Sequence, residues 1–224
     1  MKLTLALLAI GSILCCTGEP RAETPITPGL ICQVKGAIRW KAPAWDRATC
    51  EQVALAINET PRPRTTLAMA ILESDLRMDV AVEARPGVFD VGLLGVRCLL
   101  SPGSSAPARG DGPRSAGDSK LADEAVGRCQ NGPARGYTLA ELKTPAINVR
   151  VAAEIMAEKR ERHGKNWARF YSGASHENGY GRRVAVLAAA LGGARLTTKC
   201  KRVRRLAELI LAAVRPRIAM ETVR

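Results

Sequence analysis

Aromatic residues make up only 4% of the 224-residue chain, and it has two histidines, His163 and His176. With so little ring volume, the core must be assembled mainly from Ala, Leu, Val and Ile. Two histidines and no Cys-x-x-Cys pair leave a structural zinc site poorly supported, because tetrahedral sites draw on closely spaced Cys and His pairs. No apolar run is long enough to stay as a helix across about 30 Å of hydrocarbon at ~1.5 Å per residue. No alternating pattern longer than a few residues marks a strand, and there is no internal repeat. Hydrophobic residues at 46% and charged residues at 25% exclude a wholly disordered or collagenous chain. The length fits one domain with a leader, insertions or tails.

Basic charge and cysteine are plentiful. Lys and Arg number 34 against 21 Asp and Glu, a net +13, which points to an anionic partner. Residues 195–224 hold nine of these Lys/Arg and two acids, so +7 of the excess sits in a terminal segment. Val203, Leu206, Leu209, Ile210 and Val214 fall on one face there, and 194–224 is read as a basic C-terminal helix. At the other end, Met1-Lys2 precedes an apolar run from Leu3 to Leu14 and then Cys15-Cys16-Thr17-Gly18. That order reads residues 1–22 as a signal peptide or lipoprotein leader, with Cys16 carrying the lipid in the second case. Export would expose Cys32, Cys50, Cys98, Cys129 and Cys200 to oxidation. Cys98 and Cys129 bracket one loop and are the favoured pair, with Cys32 and Cys50 next.

Proline and polar residues over 17–30 read as a tether, so 23–48 is expected to be tether and N-terminal extension. Thr49 and Gln52 have capping-box spacing and predict a helix from Thr49 that Pro61 and Pro63 end. Thr65 or Thr66 would cap the next helix, in which Leu67, Ala70, Ile71 and Ser74 recur at helical spacing. Residues 99–136 are rich in Gly, Pro and Ser and read as a long loop insertion. Thr138 and Glu141 repeat the capping spacing before a helix to about His163, which Gly164 caps. A further helix is expected from about Arg182 to Leu191. The whole is a mostly α domain over 49–193.

Glu73 closes the apolar stretch Ala70-Ile71-Leu72. Burial makes an unpartnered carboxylate costly and raises its pKa, so such a group can donate a proton near neutrality, as cleavage of a glycosidic bond requires. After Glu73-Ser74 come Phe89-Asp90-Val91-Gly92-Leu93-Leu94-Gly95, then Thr144-Pro145-Ala146-Ile147-Asn148, then Trp167 through Val184. This series resembles the lysozyme-like lytic transglycosylases of the soluble transglycosylase superfamily over about residues 50–190. Their order is a Glu-Ser pair ending a helix, a Gly-Leu-Met-Gln segment, a Pro-x-x-Asn-Ile helix start and an Ala-Tyr-Asn-like segment with a later Tyr.

The resemblance implies a goose-type helical domain that cleaves the β-1,4 bond between N-acetylmuramic acid and N-acetylglucosamine in peptidoglycan. Glu73 would be the catalytic acid and then the base, with no cofactor. Ser74, Gly92, Leu93, Tyr171 and Tyr180 would line the substrate site. Ser74 also reads as a helix-end cap, Asp90 as a turn residue, and Asn148 as support for the following helix. The chain has Gly95 where the family has Gln. Aligned on Gly173, Phe170 takes the family Tyr position; shifted by one, Tyr171 does. The expected setting is the periplasm or cell envelope, with secretion or envelope machinery as partner and the basic tail on anionic membrane or wall polymer. Nucleic acid does not fit an exported chain. A hydrolysing muramidase and a non-catalytic wall-binding module are the alternatives.

Overall fold

The structure is a computed structural model that describes residues 23–38, 45–100, 127–171, 179–193 and 204–212. The leader expected over 1–22, with Cys16, therefore lies outside the described residues, as do Cys200 and most of the insertion. The chain is mostly helical, with one small sheet. Helix α1 spans Pro28–Ala37, α2 Arg47–Asn58 and α3 Pro63–Ser74. Strands β1 Ala81–Arg85, β2 Val88–Val91 and β3 Val96–Leu99 follow. Helix α4 Leu139–Leu142, α5 Pro145–His163, α6 Trp167–Tyr171 and α7 Tyr180–Leu191 come next. A last helical stretch, α8, covers residues 204–212. No helix among the described residues is long and apolar enough to cross a membrane.

Helix α3 forms the centre of the core. Leu67, Ala68, Met69, Ala70 and Ile71 are consecutive and each at most 1% exposed, so this helix is apolar all round and not along one stripe. It packs chiefly against α7, while α5 packs against α2 and α6. Its caps are not Thr65 or Thr66. Pro63 occupies the first turn, and Glu23 reaches across to accept from the Arg64 and Thr65 amides at 2.7 and 3.3 Å. A carboxylate there satisfies orphan N–H groups and faces the positive end of the helix dipole.

The described part of the expected tether, 23–38 and 45–48, is thus a packed part of the domain. Ile26, Ile31 and Val34 join the core, and Ile26 exchanges two hydrogen bonds with the Asn58 amide, at 2.7 and 2.8 Å. Cys32 is bonded to Cys50, fastening α1 to α2. Helix α2 begins two residues before Thr49, because Asp46 caps it by accepting from the Thr49 amide at 2.7 Å. The Thr49 hydroxyl and then the Thr49 amide favour the ionised form and hold the Asp46 carboxyl below its usual range.

The sheet, unannounced by the sequence, is a three-stranded antiparallel meander, β1-β2-β3. Its strands are too short for periodicity to register, although β3 alternates cleanly, with Val96 and Cys98 buried and Arg97 and Leu99 exposed. Cys98 is bonded to Cys129, and Leu100 bridges Cys129, so the far end of the insertion returns against β3. Thr138 and Glu141 do form a capping box, but it opens only the short α4. Helix α5 starts anew with Pro145 in its first turn. The apolar side of α8 is buried through Leu206, Ala207, Ile210 and Leu211, so this basic helix is docked on the core.

Candidate active site

Glu73 sits in the last turn of α3, where the helix leaves the core and meets a cleft of about 290 Å³. The backbone then turns sharply: Asp75 and Leu76 both adopt left-handed conformations, with φ of 53° and 54°. Such residues cost about 1–2 kcal/mol each, so the turn needs outside support. Lys35 of α1 supplies it, donating to the Leu76 carbonyl at 2.7 Å and the Asp75 carbonyl at 3.4 Å. This cation at the helix C-terminus also complements the dipole.

Ser74 donates to the Leu93 carbonyl at 2.9 Å and accepts from the Arg77 amide at 3.1 Å. It is buried, and it ties the end of α3 to the β2–β3 turn. That turn is rigid. Asn148, wholly buried on α5, accepts from the Leu94 amide at 2.9 Å and donates to the carbonyls of Val91 and Leu142, each at 2.8 Å. Gly92 has φ +74°, and a Cβ there would overlap the Asn148 amide, so no other residue fits. Leu93 is fully buried. Three residues expected to contact substrate, Ser74, Gly92 and Leu93, thus lie behind the cleft surface and hold it in shape. Gly95, at φ +57°, is the turn residue at the cleft; a Cβ there would come within 3.4 Å of Glu73 Oε2.

Both candidate tyrosines converge on Glu73. Tyr171 donates to the Leu94 carbonyl at 2.8 Å and lines the cleft. Tyr180, at the start of α7, turns its hydroxyl toward the Glu73 carboxyl. Burial and the Glu73 charge push both phenols well above their usual range, so they act as neutral hydroxyls. Burial also raises the Glu73 carboxyl; the Tyr180 hydroxyl opposes this, and the Asp90 charge adds to it. Glu73 Oε1 is buried with no partner in regular hydrogen-bond geometry among the described residues. An oxygen so placed is better matched to a carboxylic acid than to a carboxylate.

Asp90 and Arg97 pair across β2 and β3, at 2.9 and 3.1 Å, and both line the cleft. Asp90 is therefore committed to a cation and not to the turn. The remaining lining comes from Asn131–Ala134, on the disulfide-tied return of the insertion, and from Ile155, Glu158, Lys159 and Phe170 on α5 and α6. Sequence reasoning missed Arg97 and Lys159. The alternation of β3 gives Arg97 its outward face, and Lys159 follows Ile155 by one helical turn. Among the described residues no group of three or more His, Cys, Asp or Glu side chains could hold a metal ion. No family model, curated protein or solved structure matches the chain.

Proposed function

We propose that the chain is an exported peptidoglycan lytic transglycosylase of lysozyme-like fold with Glu73 as its single catalytic carboxyl. The observation that carries this reading is a buried carboxyl at a helix end, in a cleft, with two neutral tyrosine hydroxyls beside it and one oxygen, Oε1, that has no partner in regular hydrogen-bond geometry among the described residues. Glu73, protonated, gives its proton to the glycosidic oxygen as the bond from C1 of the muramoyl sugar breaks. The resulting carboxylate takes the proton of the muramoyl 6-hydroxyl, whose oxygen bonds to C1 and closes the 1,6-anhydro ring. Neutral Tyr180 suits this cycle because its hydroxyl can donate to Glu73 without adding charge, while Tyr171, whose proton goes to the Leu94 carbonyl, leaves only a neutral acceptor oxygen in the cleft. The motif order from Glu73-Ser74 through Tyr180 supports the family assignment.

Asp90 favours a second reading, hydrolysis by a muramidase, since it lines the same cleft as Glu73. Both its oxygens accept from Arg97, which ties them down and makes transglycosylation the better fit. Mass spectrometry of the products separates the two: anhydro-muropeptides are expected, and reducing-end muropeptides would favour hydrolysis. Glu73→Gln is expected to abolish muropeptide release from purified sacculi while leaving the fold intact. Undiminished release would end the assignment, and no release by the wild type would favour a non-catalytic wall-binding module.

Disulfides persist in oxidising compartments, which agrees with export. The finer setting we infer is the periplasm or cell envelope, with lipid attachment at Cys16 as one route to retention. The basic C-terminal helix would contact anionic membrane or wall polymer.

A further inference from the structure

Phe170 and Tyr171 are neighbours with opposite fates. Tyr171 turns inward to Leu94. Phe170 stays 40% exposed, and it lines the cleft. One side of its ring is backed by His163, the last residue of α5, which stacks on it with centroids 3.6 Å apart and planes 13° from parallel. A braced, solvent-facing ring in a cleft is suited to an apolar ligand surface, and the C–H face of a pyranose is such a surface.

Lys159 lies four residues before His163 and therefore on the same face of α5. It is half-buried, lines the cleft and has no ion-pair partner among the described residues. The cleft carboxylates do not neutralise it. Asp90 is taken by Arg97, burial opposes ionisation of Glu73, and Glu158, adjacent in sequence, does not face it along a helix. An apolar ring and a cation with no ion-pair partner among the described residues thus share one wall.

We infer that this α5–α6 wall is a subsite for a carboxylate-bearing sugar, in which Phe170 packs on the ring and Lys159 pairs with the carboxylate. The inference rests on the reading of the cleft as a peptidoglycan site and extends it to the substituent that the enzyme selects. Peptidoglycan offers that carboxylate from two sources: the stem peptide, or the lactyl acid set free when an amidase removes the stem.

The test measures binding by the full chain carrying Glu73→Gln, so that no ligand turns over, to three glycans. They are neutral chitohexaose, peptide-bearing glycan strands and amidase-stripped strands. Phe170→Ala is expected to weaken all three roughly tenfold, and Phe170→Trp to restore them. Lys159→Ala is expected to leave chitohexaose unchanged and to weaken a charged ligand roughly tenfold. A loss confined to peptide-bearing strands assigns the stem carboxylate, and one confined to stripped strands assigns the lactyl acid; either supports the subsite. Unaltered affinity for both charged ligands after Lys159→Ala, or for all three after Phe170→Ala, would overturn it, as would no binding by the parent. Muropeptide release by the wild type decides separately whether Glu73 is catalytic, so a chain that binds in this pattern without cleaving would keep the subsite and lose the reaction.

Discussion

The Glu73 carboxyl ties stability to pH in a direction that can be worked out. Its folded pKa lies above the ordinary 4.5 because burial penalises the charge. Below 4.5 the group is neutral in both folded and unfolded chains and costs nothing. As pH rises through the folded value, the native state must bear a poorly solvated charge and stability falls. Glu73→Gln carries no such charge. Its melting temperature is therefore expected to exceed that of the parent at pH 8, with the gap closing below pH 4.5 in parallel scans; a gap independent of pH would contradict the buried-acid account. Cleavage should fall over the same rising limb as the proton donor is lost. At Tyr171, removing the hydroxyl orphans the Leu94 carbonyl, so Tyr171→Phe is expected to cost about 1–2 kcal/mol in urea unfolding. Residue identity made Glu73, Tyr171 and Tyr180 legible in the sequence, because a carboxyl ending an apolar run and two scarce aromatics stand out. The inward roles of Ser74 and Leu93 were not legible, since neighbours of a site in sequence need not share its exposure.

Among the elements, the β2–β3 turn holds the most chemistry for its length. Its two glycines predict different failures. Gly92→Ala forces a Cβ into Asn148 and holds Ala at a left-handed φ, so a loss of roughly 3 kcal/mol is expected from denaturant midpoints. Gly95→Ala meets only the Glu73 side chain, at 3.4 and 3.7 Å, and should cost about 1 kcal/mol. Its activity should drop further than that stability loss explains, because the new methyl lies in van der Waals contact with Oε2 of the acid and takes solvent from it. Helices were easier to foresee than strands. The box at Thr138, the Gly164 cap and the apolar spacing of α5 were all readable. Strands of four or five residues give period-2 alternation too little length to emerge, and β1 keeps a single buried position, Ala81. The caps of α3 were unreadable for another reason: Glu23 is 41 residues away from Arg64, beyond any local pattern.

At the level of the whole molecule, the disulfides close loops of 18 and 31 residues, which the chain-entropy relation values at about 3 and about 4 kcal/mol. Reduction is expected to lower the urea midpoint, and loss of Cys98–Cys129 should also impair cleavage because that bridge anchors the Asn131–Ala134 side of the cleft. Restored activity in a Cys98→Ser, Cys129→Ser double variant would show that the wall stands without it. The basic C-terminal segment predicts salt dependence: sacculus binding should weaken from 0.05 to about 0.5 M salt as surface charges are screened, and less so for a chain in which Arg215, Arg217 and Arg224 are changed to Gln, which leaves the core residues of α8 in place. Cysteine spacing and charge placement were legible because both are simple counts along the chain. The tether expected over 23–48 misled because proline and threonine composition does not distinguish a loose linker from a helix start; Thr27 and Pro28 cap and open α1. That segment places Glu23 on one end of α3 and Lys35 on the other, gripping the helix like the two jaws of a vice. Any portable unit that keeps the end of α3 in place must therefore include Glu23 and Lys35, and a graft of 49–193 alone would carry Glu73 without the frame that positions it.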